Sequence, residues 1–399
     1  MQYRFSERVA GMQSSVIRDM LKLAQGKDML SFAGGLPDAK LFPVEAIREA
    51  AARVLTDRAA EALQYGPTEG DRQLREWLCA QAAAAGTGAT PEETLLTTGS
   101  QQALDLAVRA LTEPGDIVLV EDPTYLAALQ LFGVYGLTVV PVASDADGPL
   151  PDEVKRLIQA KRPRLLYAVP TFGNPTGRTW STERRRVIVQ LCGAEGVPIL
   201  EDDPYGALRF EDGEREPSLF TLAGSCKGSP VVYLGTFSKT IAPGLRTGWA
   251  MGDATVIRMM AKAKQASDLH SSALDQRIIV QLLADFPLVD YLRDVAREYG
   301  RRMDLMQREL ASHRIEGLRW EEPRGGMFLW LTLPEALDAE ALLRASLRQG
   351  VAFVPGAPFF AGVQERNTAR LNFTGLDDER MVKGIGLFAE AINEFLARS

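Results

Sequence analysis

The stretch YLGTFSKTIAPGLRTGW, residues 233–249, places a lysine where an apolar, strand-like run ends. Lys239 follows the run 231–234 and precedes the chain-breaking pair Pro243 and Gly244. A lysine at a strand end commonly extends its ammonium group into solvent, and that interpretation needs no function. The residues that follow the other apolar runs of the chain decide between this interpretation and a chemical role.

The composition indicates an ordinary globular chain. Its 399 residues suffice for two or three domains, or for one large domain with a smaller one. Hydrophobic residues make up 46% and charged residues 24%, and the net charge of −7 is spread along the sequence. We therefore expect neither a nucleic-acid surface nor a membrane surface. The sequence has no membrane-spanning apolar run and no signal peptide, which predicts a cytoplasmic location.

The cysteines and histidines exclude several kinds of site. Cys79, Cys192 and Cys226 are odd in number and form no CxxC pair, so we expect neither a disulfide framework nor a zinc site. The only histidines are His270 and His313, which argues against histidine triads and histidine metal clusters. Acid–base chemistry in this chain must therefore come from other side chains.

Apolar runs alternate with helical patterns from about residue 94 to 250. The runs are TLLTT (94–98), DIVLV (116–120), TVVPV (138–142), RLLYAVP (164–170), VPIL (197–200) and VVYLG (231–235). This order predicts an α/β fold with a large doubly wound domain and a mostly parallel sheet. We predict an N-terminal arm and helix over 1–44 that packs with the small domain, a large domain over 45–285 and a smaller α+β domain over 286–399.

Polar side chains follow these runs, at the strand ends where such sheets bind ligands. Gly99, Ser100 and Gln101 open a helix, whose exposed amides could hold a phosphate, although Ser100 could also be only an N-cap. Neither the dinucleotide fingerprint nor the P-loop motif is present. The residues at the other ends are Tyr125, Asn174, Asp202, Tyr205, Lys239 and Arg246.

One ligand matches this set of side chains. Pyridoxal phosphate has a dianionic phosphate, a flat ring, a phenolate oxygen, a pyridine nitrogen that works best protonated, and an aldehyde. The aldehyde bonds covalently with a lysine, which gives Lys239 a function. A desolvated lysine of lowered pKa can also move protons, replacing the missing histidines.

Five motifs in register resemble one family over nearly the whole chain. They are NPTG (174–177), EDDPY (201–205), TFSK (236–239), GLRTGW (244–249) and ARLNF (369–373). The chain resembles the fold-type I pyridoxal-phosphate aminotransferases of class I/II. Five further segments are similar to its 2-aminoadipate, kynurenine and aromatic branch: SFAGGLPDAKLFP (31–43), LQYGPTEG (63–70), TTGSQQALDL (97–106), GGMFLW (325–330) and VAFVPGAPFF (351–360).

The resemblance implies roles around the cofactor. Lys239 would bond with the aldehyde and shuttle protons, and Asp202 would pair with the pyridinium nitrogen. Tyr205 and Asn174 would hydrogen-bond the phenolate oxygen, and Tyr125 would stack on the ring. The residues implied for the phosphate are Ser100, Gln101, Thr236, Ser238 and Arg246, with Thr where serine is common at 236.

The resemblance also implies how substrate and subunits meet. Tyr65 would reach the phosphate in a neighbouring subunit, which predicts a homodimer with shared sites. Arg370 and Asn174 would clamp the substrate α-carboxylate, with Gly35 close by. Arg18 lies in SSVIRDMLKLAQ (14–25), which reads as a helix. The resemblance implies that Arg18 would reach the distal carboxylate of an acidic substrate. The alternative is that Arg18 is a surface arginine of an amphipathic helix.

We therefore expect a transaminase that works by ping-pong chemistry on amino acids and 2-oxo acids. The substrate range expected from the resemblance is glutamate or 2-aminoadipate with leucine-like or aromatic amino acids. A β-lyase or decarboxylase on the same fold is the alternative enzyme. An effector-binding regulator domain is the alternative outside catalysis; it would need a basic recognition helix before the aminotransferase pattern, which here begins close to Met1.

Overall fold

A seven-stranded β-sheet forms the centre of the larger domain. The computed structural model describes residues 1, 3–6, 9, 29–211, 213 and 215–397. Its strands are β1 (Leu30–Ser31), β2 (Thr94–Thr97), β3 (Ile117–Glu121), β4 (Thr138–Val142), β5 (Ser144–Asp145), β6 (Gly148–Pro149), β7 (Leu165–Ala168), β8 (Ile199–Asp202), β9 (Val231–Thr236), β10 (Gly248–Met251), β11 (Arg319–Trp320), β12 (Phe328–Thr332), β13 (Val351–Ala352), β14 (Val354–Pro355) and β15 (Thr368–Asn372).

Helices connect these strands and cover the sheets. The α-helices within the described residues are α1 (Val44–Asp57), α2 (Ala59–Ala62), α3 (Arg72–Ala84), α4 (Ser100–Leu111), α5 (Leu126–Val134), α6 (Pro151–Lys161), α7 (Thr182–Glu195), α8 (Leu219–Ala223), α9 (Ala254–Ser267), α10 (Ala273–Asp285), α11 (Leu288–Ser312), α12 (Ala339–Arg348) and α13 (Asp378–Leu396). Short 3₁₀ helices lie at Ala39–Leu41, Pro91–Glu93, Pro243–Leu245 and Ala357–Phe359. None of the helices described here combines the length and apolar character that crossing a membrane requires.

The order of the central sheet is β2-β10-β9-β8-β7-β3-β4. Every neighbouring pair is parallel except the two pairs that β10 makes with β2 and β9. The carboxyl ends of β3, β7, β8 and β9 therefore lie along one edge of the sheet. The predicted fold class, a doubly wound domain with a mostly parallel sheet beside a smaller α+β domain, is confirmed.

Both faces of the central sheet are buried, as its apolar strands require. Val118 and Val120 of β3 pack on one face with α4, α5 and α9, whereas Leu119 between them packs on the other face with α6, α7 and α8. Burying a side chain of this kind stabilises the fold by roughly 1.5–3 kcal/mol. The alternation along each strand therefore also fixes the face on which a polar residue at its end lies.

A four-stranded antiparallel sheet, in the order β11-β12-β15-β14, forms the smaller domain. Helices α11, α12 and α13 cover it, and their apolar faces share one core with β12 and β15. Strand β1 pairs in parallel with β13 and so joins residues 30–31 to this part of the molecule. The helix predicted over 14–25 lies outside the described residues.

Candidate active site

Lys239 lies just beyond the carboxyl end of β9, with its side chain turned inward. Its Nζ donates a hydrogen bond to the backbone oxygen of Gly35 at 2.8 Å. Burial, together with the guanidinium groups of Arg370 and Arg246, lowers the pKa of Lys239 to about 8. The interpretation of Lys239 as a solvent-facing lysine is therefore wrong. A lysine of lowered pKa holds a larger share of neutral, nucleophilic amine near neutral pH.

Asp202, the last residue of β8, is a buried carboxylate with one free oxygen. Only 5% of the residue is exposed. Its Oδ2 accepts a hydrogen bond from the Tyr167 hydroxyl at 2.8 Å, whereas Oδ1 has no hydrogen-bond partner. Burial raises the pKa of Asp202 to about 7, opposed by Tyr167 and reinforced by Asp203. A buried carboxylate oxygen without a partner is costly, so this one points to a cationic ligand.

Asp203 lies on the opposite face of the sheet and is fully paired. Its Oδ1 accepts from the Gly206 amide at 2.9 Å and its Oδ2 from the Tyr233 hydroxyl at 3.1 Å. These bonds fix the turn that leads into Tyr205. Of the two adjacent carboxylates, only Asp202 therefore has an oxygen free for a ligand.

Arg370, in the middle of β15, brings the smaller domain into the same crevice. It is 4% exposed, and its Nη1 donates to Asn174 Oδ1 at 2.7 Å. Its Nη2 donates to the Ala33 backbone oxygen at 3.1 Å, whereas Nε has no partner. The guanidinium carbon lies 4.2 Å from the ring centroid of Phe328, a cation–π contact. No carboxylate balances this buried cation within the described residues, which suits an anionic ligand.

Tyr205 and Tyr125 both lie close enough to Asp202 and Arg370 to interact with their charges. Burial, then the neighbouring Tyr125, raise the pKa of the Tyr205 phenol above its usual range. Burial and the charge of Asp202 raise the pKa of Tyr125 to about 12. Both phenols therefore stay protonated near neutral pH and can donate a hydrogen bond. Tyr125 comes directly before α5, at the end of β3, as predicted from the strand pattern.

The start of α4 meets the loop between β9 and β10. Gly99 precedes the helix with φ of +78°, and a Cβ at this position would lie 2.6 Å from Nη2 of Arg246. A side chain here would push the guanidinium away from the helix N-terminus, and the positive φ also favours glycine. Ser100 is the first helical residue, and no side chain caps this end, so Ser100 is not the N-cap. A cation and free amides converge here, as an anion site needs.

The hydroxyls of Thr236 and Ser238, at the end of β9 and just after it, belong to the same anion site. Thr236 Oγ1 donates to Ser238 Oγ at 2.9 Å, and Arg246 Nη1 donates to the same oxygen at 3.4 Å. Both hydroxyl residues are buried. The side chain of Gln101, which was also predicted here, is exposed in the first turn of α4.

Tyr65 lies apart from this group. It is 78% exposed, and its ring meets His270 edge-on at 5.7 Å. Tyr65 borders a surface cavity of about 380 Å³, which Ser271 and Arg277 also line. Arg18 lies outside the described residues.

Two side chains at the site were not identified from the sequence. Tyr167 donates to Asp202, and Phe328 lies under Arg370. The signal for Tyr167 is its position in the buried run RLLYAVP, since a buried phenol usually finds a hydrogen-bond partner. For Phe328, the segment GGMFLW carries the resemblance but gives no indication of a cation–π contact.

A lowered-pKa lysine, an incompletely paired aspartate and an anion cradle at the edge of a doubly wound sheet define a fold-type I pyridoxal-phosphate enzyme. The sequence model for aminotransferase class I and II matches residues 27–386. The chain belongs to this family, and it is a pyridoxal-phosphate-dependent aminotransferase.

Several proteins that are similar to this chain are named as aminotransferases. The 2-aminoadipate transaminase of Thermus thermophilus is 40% identical, over 98% of this chain and 97% of its own. Aromatic-amino-acid aminotransferase 1 of Thermococcus litoralis is 40% identical, over 98% of this chain and 94% of its own. The structure of the Thermus thermophilus alpha-aminoadipate aminotransferase, complexed with N-(5'-phosphopyridoxyl)-L-leucine, matches with a TM-score of 0.91 and 39% identity, over 99% and 98% of the two chains.

Proposed function

We propose that this aminotransferase exchanges amino groups between glutamate or 2-aminoadipate and leucine-like or aromatic amino acids, through their 2-oxo acids. The observation that carries the proposal is Arg370, a buried guanidinium with an unpaired Nε beside Lys239 and Gly35. Every amino acid and 2-oxo acid offers such a group a carboxylate. The names of the relatives, which act on 2-aminoadipate and on aromatic amino acids, support the choice of side chains.

The described side chains fit the cofactor. Asp202 Oδ1, which has no partner in the protein, suits a protonated ring nitrogen. We assign the phosphate to Ser100, the amide of Gln101, and Arg246, supported by the close approach of Arg246 to Gly99. Thr236 and Ser238 complete that set, Ser238 through its contact with Arg246. When bound, pyridoxal phosphate withdraws electrons from the substrate Cα and so allows it to lose a proton.

The protein residues would orient the substrate and move its protons. Arg370 binds the α-carboxylate with its free Nε, and Asn174 holds the guanidinium in position through the 2.7 Å hydrogen bond. Lys239 would hold the cofactor through its aldehyde and, as a neutral amine, would take the Cα proton of the substrate. Its lowered pKa suits this role because a general base must be deprotonated near the working pH. Tyr205 would donate to the phenolate oxygen, and Tyr125 would cover the ring.

A comparison of two arginine variants tests the substrate assignment. Arg370→Ala should lower kcat/KM by roughly 10- to 100-fold for every amino donor, since each loses a charge-assisted hydrogen bond. Arg18→Gln should raise the KM for glutamate and 2-aminoadipate by roughly 10-fold and leave leucine and phenylalanine nearly unchanged. The assay follows the cofactor absorbance over a panel of amino donors and 2-oxo acceptors.

Product analysis in the same assay distinguishes the reaction types. A 2-oxo acid with the full carbon skeleton and an aminated acceptor are expected. Loss of carbon dioxide or of a side-chain fragment as the main outcome would indicate a decarboxylase or β-lyase. If Arg18→Gln raised the KM equally for all amino donors, Arg18 would not be the residue that recognises the acidic side chain.

We also propose a homodimer in which Tyr65 completes the phosphate site of the partner subunit. The exposure of the Tyr65 ring and the adjacent open cavity support this assignment. The proposed parts of each subunit are an N-terminal arm over 1–44, a large domain over 45–285 and a small domain over 286–399. All three cysteines are free and buried, which suits a reducing cytoplasm.

Mixing two inactive variants tests the shared site. A hybrid of Tyr65→Phe and Lys239→Ala subunits contains one site with both native residues, so mixing should restore activity. In the control, Lys239→Ala is mixed with the double variant Tyr65→Phe/Lys239→Ala, which can form no intact site. If hybrids with demonstrated subunit exchange regain nothing while Tyr65→Phe alone is impaired, Tyr65 does not act across the interface.

A further inference from the structure

Two phenol–carboxylate pairs lie at β8, a buried one on one face of the sheet and a partly buried one on the other. Tyr167 of β7 donates to Asp202 at 2.8 Å, and Tyr233 of β9 donates to Asp203 at 3.1 Å. The register places Tyr167 opposite Leu200, which shares a face with Asp202 two residues later. The two pairs are chemically alike, but only the first involves a residue of the proposed cofactor site.

The contact with Tyr167 determines which oxygen of Asp202 remains free. The phenol bonds Oδ2 and thereby fixes the rotation of the carboxylate, so Oδ1 is the oxygen left without a partner. Tyr167 is itself fully buried and packs edge-on against Phe132 at 5.6 Å, which holds the phenol in place. A carboxylate held on a rigid strand by a rigid donor presents its free oxygen in a single direction.

The same contact also favours the ionised form of Asp202. No lysine or arginine among the described residues pairs with this carboxylate, and burial and Asp203 both raise its pKa. The Tyr167 hydroxyl opposes them, because a donor stabilises the carboxylate anion. Without that donor, Asp202 would hold its own proton more readily and would attract a ring cation less.

We propose that Tyr167 is a positioning residue that keeps Asp202 oriented and anionic, so that Oδ1 can hold a protonated ring nitrogen. The inference rests on the proposed role of Asp202. The alternative is that Tyr167 only satisfies its own hydroxyl in the core, as Tyr233 does on the other face. In that case, removing the hydroxyl would reduce stability without changing how the protein recognises the ring nitrogen.

The test measures binding instead of turnover. Apoprotein is titrated with pyridoxamine 5'-phosphate, which binds without a covalent bond, and with its 1-deaza analogue, in which carbon replaces the ring nitrogen. The wild-type protein should prefer the natural ligand. Tyr167→Phe should reduce that preference by roughly 10-fold, since it removes a hydrogen bond to a charged group, and should bind the deaza analogue about as well as the wild type does. Thermal melting of each apoprotein confirms that it is folded.

Tyr233→Phe is the matched control, because it removes the same kind of bond from Asp203. It should lower the melting temperature as Tyr167→Phe does and leave the preference for the ring nitrogen intact. Replacing Tyr167 with 4-aminophenylalanine, which keeps a donor at the same position, should restore most of the preference. The 4-aminophenylalanine variant also tests the contact if Tyr167→Phe does not fold. Because it keeps a donor, it should prefer the natural ligand over the deaza analogue as strongly as the wild type does.

Asp202→Asn separates failure of this inference from failure of the role proposed for Asp202. If Asp202→Asn loses the preference and Tyr167→Phe keeps it, Tyr167 is not a positioning residue and the role of Asp202 stands. If Asp202→Asn also keeps the preference, the role proposed for Asp202 is itself wrong. An equal loss of affinity for both ligands in Tyr167→Phe, or loss of the preference in Tyr233→Phe, would overturn the inference. So would loss of the preference in the 4-aminophenylalanine variant.

Discussion

Lys239→Ala should lose nearly all transamination and the visible absorbance of the cofactor linked to the protein. The substitution removes both the amine that bonds with the aldehyde and the base that moves the Cα proton. Positioned acid–base catalysis alone contributes about 100- to 10,000-fold, and the covalent link adds to this. Activity is measured by the aminated product, and cofactor binding by absorbance.

Lys239→Arg is the control for charge. It keeps a cation beside Gly35 but provides no nucleophilic amine, because arginine stays protonated. It should therefore be as inactive as Lys239→Ala while retaining cofactor phosphate contacts. Wild-type turnover in either variant would falsify the assignment of Lys239.

Asp202→Asn should keep cofactor attached through Lys239 and slow turnover by roughly 100- to 1,000-fold, the effect of removing one preorganised electrostatic partner. Asparagine has nearly the shape of aspartate but no charge, so it cannot hold the ring nitrogen protonated. The slowed step should be loss of the Cα proton, which a deuterium isotope effect on substrates labelled at Cα measures.

Asp203→Asn is the matched control for the neighbouring carboxylate. Asp203 is bonded to Gly206 and Tyr233 on the other face of the sheet, so its loss of charge should reduce stability and leave the rate of proton loss close to that of wild type. If the Asp203 variant were the slow one, the pyridinium partner would be Asp203 and the face assignment would be wrong.

The sequence allowed the fold class and the strand ends to be predicted, because both depend on local patterns. Apolar runs with helices between them determine a parallel sheet, and alternation along β8 separates Asp202 from Asp203. Strand β10 was not predicted, since it has only four residues, begins at a glycine, and pairs with β2, which is distant in the chain. The connection from β9 to β10 contains a 3₁₀ helix but no α-helical crossover of the kind that a parallel pair usually needs, which fits the antiparallel direction of β10.

The contacts that tune the site could not be predicted, because each joins residues far apart in the sequence. The hydrogen bond from Lys239 to Gly35 requires the crevice between the two domains to be built. The bond from Tyr167 to Asp202 depends on which strands are neighbours, and the cation–π contact of Arg370 depends on how β12 lies beside β15. The roles drawn from the resemblance, among them those of Tyr65 and Arg18, stay predictions.

Borohydride reduction of the holoenzyme, followed by digestion and peptide mass spectrometry, tests the central claim most directly. Reduction fixes the cofactor on the lysine that carries it, so the modified peptide identifies that residue. We predict a single phosphopyridoxyl group, on Lys239. A group found instead on Lys264, which is fully buried and ion-paired with Asp268 at 2.8 Å, would contradict the account.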